Sequence, residues 1–494
     1  MPTSTFHRTV LLAVLSTIWV QTNGLHFPER LNFTELLSKP YFVDKSELLK
    51  VFLDGSQFNL VTCPRRFGKS VNLQMVKLFT EIELDENHLP KHYTNTSAYE
   101  IFKDKKIFEN ITFVEEHMCK YVVVHVDLLY NKTVKNFTHD VALQFINDKF
   151  YDAFSKFCWI LGIPKDQLLA RGLQEDEIKF LDRINHKKIV ERDLQASLKR
   201  LGRILRKFFD AKMIFLLDNY DNVMWNGLSS VRYDIETLYV QLGEVINGIF
   251  IHSDDLVYTG MIFSTSRIVL GVKDLYYEKV EQNLFLENHK FSKYFGFTEL
   301  EVEAILNKVH NNTEDPKKHM MEYYGAYVTK EKKLRIYSPF SVTQYCENVA
   351  ENEPEPIQNY YIHTEKGADD LYMTLFRFLE FRDLANVYAT NGSFEFEPVD
   401  KCTQVDFSNF LGLVEKVNEK MKRYDYNLLM TFAMEEGLIG FAFNSKGSKY
   451  KWPNLEIRNT LKLTLHKYNV FLDPSQWGTK NDTDFFINCT TIPV

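Results

Sequence analysis

Residues Val61 to Val76 read VTCPRRFGKSVNLQMV, and the fold turns on what the middle of this stretch is for. A triphosphate held away from water needs backbone N–H donors, a cation and a ligand for its magnesium. The loop that usually supplies them reads G-x-x-x-x-G-K-[ST] and sits between a strand and a helix. Here Gly68 lets the backbone curl toward phosphates. Lys69 can reach the β- and γ-phosphates, and Ser70 offers a hydroxyl to Mg²⁺. The start of the following helix adds its dipole and free N–H groups. The first Gly of the pattern is absent, with Cys63 in its place. A chance G-K-S in a solvated turn would look the same by itself, so the flanks decide. FNLVTC ahead of the loop is a short apolar run suited to a buried strand, and KSVNLQMVKLFTEI behind it has apolar residues at helical spacing.

Further along, KYVVVHVDLL is nearly continuous Val and Leu, as a strand covered on both faces should be. Residues 136 to 162, LQASLKRLGRILRKFFDA and residues 232 to 250 carry amphipathic helical patterns. MIFLLD is an apolar strand ending on Asp218, and LVYTGMIFST is a further buried strand. A carboxylate at the end of a second strand is what a phosphate loop uses to orient magnesium and its waters. Strands alternating with helices predict an α/β fold: a parallel sheet with helices on both faces. Beyond about residue 290 strong strand runs become rare. GFTELEVEAILNKV is helical, with Thr298 and Glu301 at capping-box spacing. ENEPEPIQ at 351–358 reads as an exposed connector. The expected organisation is a phosphate-loop domain over 25–289, a mainly helical C-terminal domain over 290–470 and a tail over 471–494.

The chain has 494 residues, 45% apolar, with 40 Phe and 26 Tyr, which is a folding composition. Its net charge of −7 gives no bulk attraction to nucleic acid or to an anionic membrane, and leaves room only for a local basic patch. Thr9 to Val20 is an uncharged, mostly apolar run behind His7 and Arg8, too short to span a bilayer. With small residues at Thr22 and Gly24 it reads as a signal peptide over 1–24, so secretion to the extracellular space is expected. Nine N-x-S/T sequons agree with that compartment: Asn32, Asn95, Asn110, Asn131, Asn136, Asn311, Asn391, Asn481 and Asn488. The six cysteines include no CxxC pair, so a zinc site is not expected. Their even number permits up to three disulfides without fixing a pairing. Cys63 and Cys158 sit in apolar surroundings that suit buried thiols.

Several stretches occur in the order seen in the AAA-ATPase-like family: YFVDKSELLKVF, CPRRFGKSVNLQMVKLF, FLLDNYDNVMW, YTGMIFS, FGFTELEVEAIL, YYGAYV, YSPFSVTQYC and WPNLEIRNTLKL. The chain resembles that family from about Tyr41 to Leu463. The family's loop reads close to P-R-R-F-G-K-[ST], which accounts for Cys63. The resemblance implies a P-loop core whose nucleotide loop is Pro64, Arg65, Arg66, Phe67, Gly68, Lys69 and Ser70, with Ser70 and Asp218 on Mg²⁺ and ATP as the nucleotide. Three departures matter. The family's second-strand Glu is Asn219 here, and an amide cannot act as a base. The family's Arg after the T-G strand is missing, with Arg267 several residues later. The nuclease domain that many bacterial members carry has no counterpart after WPNLEIR, so DNA cleavage is not expected. Three functions stay open: nucleotide binding with weak or lost hydrolysis, an active ATPase in which Asp221 replaces the Glu, and a secreted effector that keeps the fold structurally. In the last, Arg65 and Arg66 would serve as a surface for a protein partner.

Overall fold

The apolar run Phe58–Thr62 forms strand β1, and all five of its residues are buried because a strand flanks it on each side. Four more strands join it in one sheet: β2 (Val122–Asp127), β3 (Met213–Asp218), β4 (Val257–Ser264) and β5 (Val280–Leu284). The order is β2-β3-β4-β1-β5, and every pairing is parallel. Every residue of β3 is buried, the five apolar positions of MIFLLD and its terminal Asp218 alike. This computed structural model describes residues 32–130, 138–188, 194–226, 237, 239–240, 243, 256–265, 280–287, 289–310, 314–325, 327–330, 334–353, 356–360, 375–376, 378–388, 393–399, 402, 404–415, 421–442 and 449–472.

Parallel strands need crossovers, and these supply the helices that cover the sheet. The helix Lys69–Thr80 follows β1, His139–Ser155 follows β2, and Leu194–Phe209 leads into β3. The helix expected over 136–162 is shorter: Thr138 caps it, accepting from Val141 N, it ends at Ser155, and a 3₁₀ turn occupies Cys158–Gly162. Most of the helical pattern at 232–250 lies outside the described residues. Strand β5 was not expected. Its sequence VEQNL is polar at the centre, as an edge strand with a single partner tolerates.

The later part of the chain is mainly helical, including Glu299–Val309, Glu314–Tyr323, Pro339–Ala350, Arg423–Glu435 and Leu455–Leu472. The capping box at Thr298 forms as its spacing implies, with Thr298 N donating to the Glu301 carboxylate at 2.7 Å. Two small antiparallel sheets accompany these helices. One has the order β6 (Phe297–Thr298), β8 (Arg335–Tyr337), β7 (Tyr327–Val328), and the other β10 (Gly440–Phe441), β11 (Lys449–Lys451), β9 (Phe394–Glu395). Strands of two or three residues leave no periodicity to read. In the connector at 351–358, Glu351 to Glu353 are exposed and 356 to 358 half-buried.

Residues from Pro40 onward form one compact unit, and the residues before it cluster separately. In that first unit a single helical turn, Phe33–Leu36, is held by a capping box between Asn32 and Glu35. Five cysteines, Cys63, Cys119, Cys158, Cys346 and Cys402, are buried free thiols, while Cys489 and the stretch 1–24 lie outside the described residues. No helix among the described residues is long and apolar enough to cross a membrane.

Candidate functional site

In a parallel sheet the groups that meet a ligand gather at the carboxyl ends of the strands. Here that edge holds the loop after β1, Asp127 at the end of β2 and Asp218 at the end of β3. Asp127 and Asp218 face each other in register. The loop hangs from its neighbours: Cys63 N donates to Ser264 O at 3.1 Å, and Phe285 N donates to Thr62 O at 3.1 Å. Phe67 anchors its crest. The ring is fully buried, with centroids 4.8 Å from Phe285 and 5.2 Å from Tyr327. Two residues then turn left-handed, Arg66 at φ 67° and Gly68 at φ 78°. Gly68 adopts this without strain, and it opens the helix Lys69–Thr80.

The sequence-expected residues are brought together. Ser70 makes a side-chain hydrogen bond to Asp218. Asp218 is buried, and that burial is the main reason its carboxyl is pushed up to about 6; nearby Asp127 adds to the rise, while Ser70 and Lys69 oppose it. Lys69 is 8% exposed, and its Nζ donates to Cys63 O at 2.6 Å and Pro64 O at 2.9 Å. The loop thus folds around its own cation. The Cys63 thiol is pushed up to about 12 by burial, so it packs as a small apolar group and is no nucleophile.

Asn219, in the position of the resemblance's Glu, lies at φ 53°, a left-handed conformation that Asn tolerates better than most residues. Its Nδ2 donates to Asp127 Oδ1 at 2.7 Å. The amide therefore satisfies a carboxylate at the strand ends. Asp221 is 2% exposed and is engaged elsewhere: its Oδ2 accepts from Thr265 N at 2.9 Å and from the Thr265 hydroxyl. That hydroxyl also meets Glu436 Oε1 at 2.7 Å. It has one proton to give, so it donates to only one of the two carboxyl groups at a time. Burial pushes the Glu436 carboxyl upward; Arg65 pulls against this, and Asp221 reinforces it.

Glu436 closes the helix Arg423–Glu435, far along the chain, and its carboxylate lies 3.5 Å from Arg65 Nε. Arg66 donates from Nη1 to Tyr360 O, and its guanidinium stands 4.6 Å from the centroid of Phe340. Both arginines are thus taken up within the chain by residues beyond 290. The open surface for a protein partner expected of them in the effector alternative does not describe these surroundings. Arg267 and six of the sequon asparagines, Asn131, Asn136, Asn311, Asn391, Asn481 and Asn488, lie outside the described residues. Of the other three, Asn32 and Asn110 cap short helices through Oδ1, and Asn95 is exposed.

Three residues of this edge were missed from sequence: Asp127, Thr265 and Glu436. Asp127 had a signal, since HVD ends β2 on a carboxylate just as LLD ends β3. Thr265 and Glu436 had none, because nothing local to either points to Asp221 or Arg65.

Comparison with known proteins gives a family model, AAA-ATPase_like, described as "Predicted AAA-ATPase", that matches residues 31–250. No curated protein matches the chain. Among solved structures, a Walker-type ATPase of Pyrococcus abyssi is similar at 13% identity and a TM-score of 0.40, over 85% of this chain and 94% of that one.

Proposed function

We propose that this chain, whose residues 31–250 match the AAA-ATPase-like family model, is a secreted glycoprotein that binds a nucleoside triphosphate with magnesium and turns it over slowly or not at all. ATP is the nucleotide proposed first. The observation that carries the second half is the Asn219 amide bound to Asp127. Hydrolysis needs a group that orients the attacking water and takes its proton. A neutral amide can hydrogen-bond the water but cannot take its proton, and losing a positioned base costs roughly 10²–10⁴-fold in rate. Binding does not depend on that group. Lys69, the loop amides and the helix start supply it, once Lys69 exchanges the carbonyls of Cys63 and Pro64 for phosphate oxygens.

Ser70 and Asp218 fit a small hard cation, being an oxygen-only pair already hydrogen-bonded to each other. Magnesium, when bound there, neutralises charge on the phosphate oxygens. Asp221 supports the active-ATPase alternative poorly, because as a base it would first give up both bonds from Thr265. The effector alternative has one observation in its favour: Lys69 is engaged by carbonyls of its own loop.

The experiment is Mg-ATP binding and phosphate release by the purified glycoprotein, its Lys69→Ala variant, and Asn219→Asp and Asn219→Glu. Binding by the wild type that is lost in Lys69→Ala, with negligible phosphate release, is the expected result. A carboxylate at 219 should then raise release; Asp is included because it tolerates the left-handed backbone that strains Glu. No binding by the wild type would leave the structural reading. Brisk release abolished by Asp221→Asn would make Asp221 the base. Secretion is tested by expression in eukaryotic cells: protein in the medium that shrinks on glycosidase treatment is expected, and unshifted cytosolic protein would overturn it.

A further inference from the structure

Four of the quoted stretches, FGFTELEVEAIL, YYGAYV, YSPFSVTQYC and WPNLEIRNTLKL, meet around one cavity of about 720 Å³. Its walls come from the helices Glu299–Val309 and Glu314–Tyr323, from β8, from β11 and from the start of the helix Leu455–Leu472. Asn454 builds that helix start. Its Oδ1 accepts from Ile457 N at 2.9 Å, and its Nδ2 donates to Tyr324 O and Gly325 O, both at 3.1 Å. Asn454 and Leu455 both line the cavity, so the positive end of a long helix opens into it.

Among the described residues five cations line the cavity, Lys317, Lys318, Arg335, Lys451 and Arg458, and of these Lys451 and Arg458 flank this helix start in sequence. Arg458 and Arg335 both act on Lys451. The Lys451 ammonium is held below its usual range by burial first, and then by Arg458 and Arg335. Arg335 is partly matched by Glu299, at 3.2 Å. Gathering like charges beside a helix N-terminus in a half-buried space opposes folding, and an anion bound among them reverses the sign of that contribution. The size is that of a small-molecule site, within the roughly 300–1,000 Å³ of ligand pockets. Glu299, Glu303 and Glu322 also line the cavity, beside Lys317 and Lys318, and these carboxylates disfavour a long polyanion such as a nucleic acid strand.

We propose that this cavity binds a small organic anion, a phosphate ester or a polycarboxylate, through Arg335, Lys451, Arg458 and the N-terminus of the helix Leu455–Leu472. The site is separate from the phosphate loop and needs no turnover there. The test uses the full-length glycoprotein carrying Lys69→Ala, so that the loop cannot supply the signal. Pyrophosphate and citrate are titrated by calorimetry. Binding of at least one is expected, weakened about tenfold or more by Lys451→Gln, by Arg335→Gln and by raised salt. Preference for pyrophosphate would assign a phosphate ester, and preference for citrate a carboxylate. Matching melting curves show that each variant is folded. Should neither probe bind, or should both bind equally well to folded Lys451→Gln and Arg335→Gln, the proposal fails.

Discussion

Two basic regions of this molecule treat their cations in opposite ways. At the carboxyl edge of the parallel sheet, every cation of the phosphate loop has an internal counterpart. Lys69 is held by two carbonyls, Arg65 lies beside Glu436, and Arg66 meets the Tyr360 carbonyl and the Phe340 ring. In the cavity beside Asn454, Arg335, Lys451 and Arg458 lie close enough to repel one another. The loop is self-matched and a ligand must compete for its lysine. Among the described residues the cavity lining carries five cations against three carboxylates, and a bound anion would improve that balance. A motif in sequence marks where a ligand can bind. Charge balance in the fold decides how much the empty site resists or invites it.

The largest expected effect tests whether the loop is built into the core. Phe67→Ala removes a fully buried ring from Phe285 and Tyr327, and should cost about 3–5 kcal/mol in denaturant unfolding. A cost under about 1 kcal/mol would show that the loop is seated loosely and its matching is incidental.

Acid should come next. His125 on β2 is held down at about 4 from an ordinary 6.5, chiefly by burial, with Lys77 and Lys156 acting the same way and Asp127 opposing. Between pH 6.5 and about 4 the unfolded chain takes up this proton and the folded chain does not. Stability therefore falls as pH drops through that window, by about 2–3 kcal/mol from this group. His125→Gln should flatten the profile there. An unchanged slope would mean that the sheet edge tolerates an added positive charge as readily as the cavity does.

Arg65→Ala should cost about 2 kcal/mol, less than a fully buried pair because Arg65 retains some exposure and the separation is 3.5 Å. Adding Glu436→Gln should recover part of the loss, since it removes the carboxylate left behind. A double variant as unstable as the sum of both singles would deny the pairing. The smallest effect has the opposite sign. Lys451→Gln relieves repulsion in the cavity and should raise stability by about 0.5 kcal/mol at low salt, fading as salt screens it. Destabilisation by 1 kcal/mol or more would erase the contrast between the two regions.

The sheet was legible in sequence where burial on both faces made the strand continuous, as in VVVHVD and MIFLLD. The loop and Asp218 were legible because chemistry confines them to the ends of such strands. Strand β5 was not, since an edge strand with Glu281, Gln282 and Asn283 at its centre has no apolar run to show. The cavity was invisible for a different reason. Asn454 was quoted only as part of a resembling stretch, and its role comes from the carbonyls of Tyr324 and Gly325, which the backbone brings to it from far away in the chain. Glu436 is the same case. A buried carboxylate opposite a distant arginine leaves no local pattern, so contacts between the early sheet and the late helices could be read only from the fold.

The strand order also sets a timetable for making the protein. Strand β1, which carries the phosphate loop, is the first of the five to leave the ribosome, yet its two neighbours are β4 and β5, the last. At roughly 5–20 residues per second, the wait from Thr62 to Val257 is about 10–40 s. For that interval both edges of an apolar strand stay without a permanent partner, a hazard that non-local pairing imposes on any nascent chain. Holding factors or provisional contacts must therefore bridge the gap. A ribosomal pause after β5 has cleared the exit tunnel would favour correct insertion of β1, and one before β4 emerges would favour aggregation.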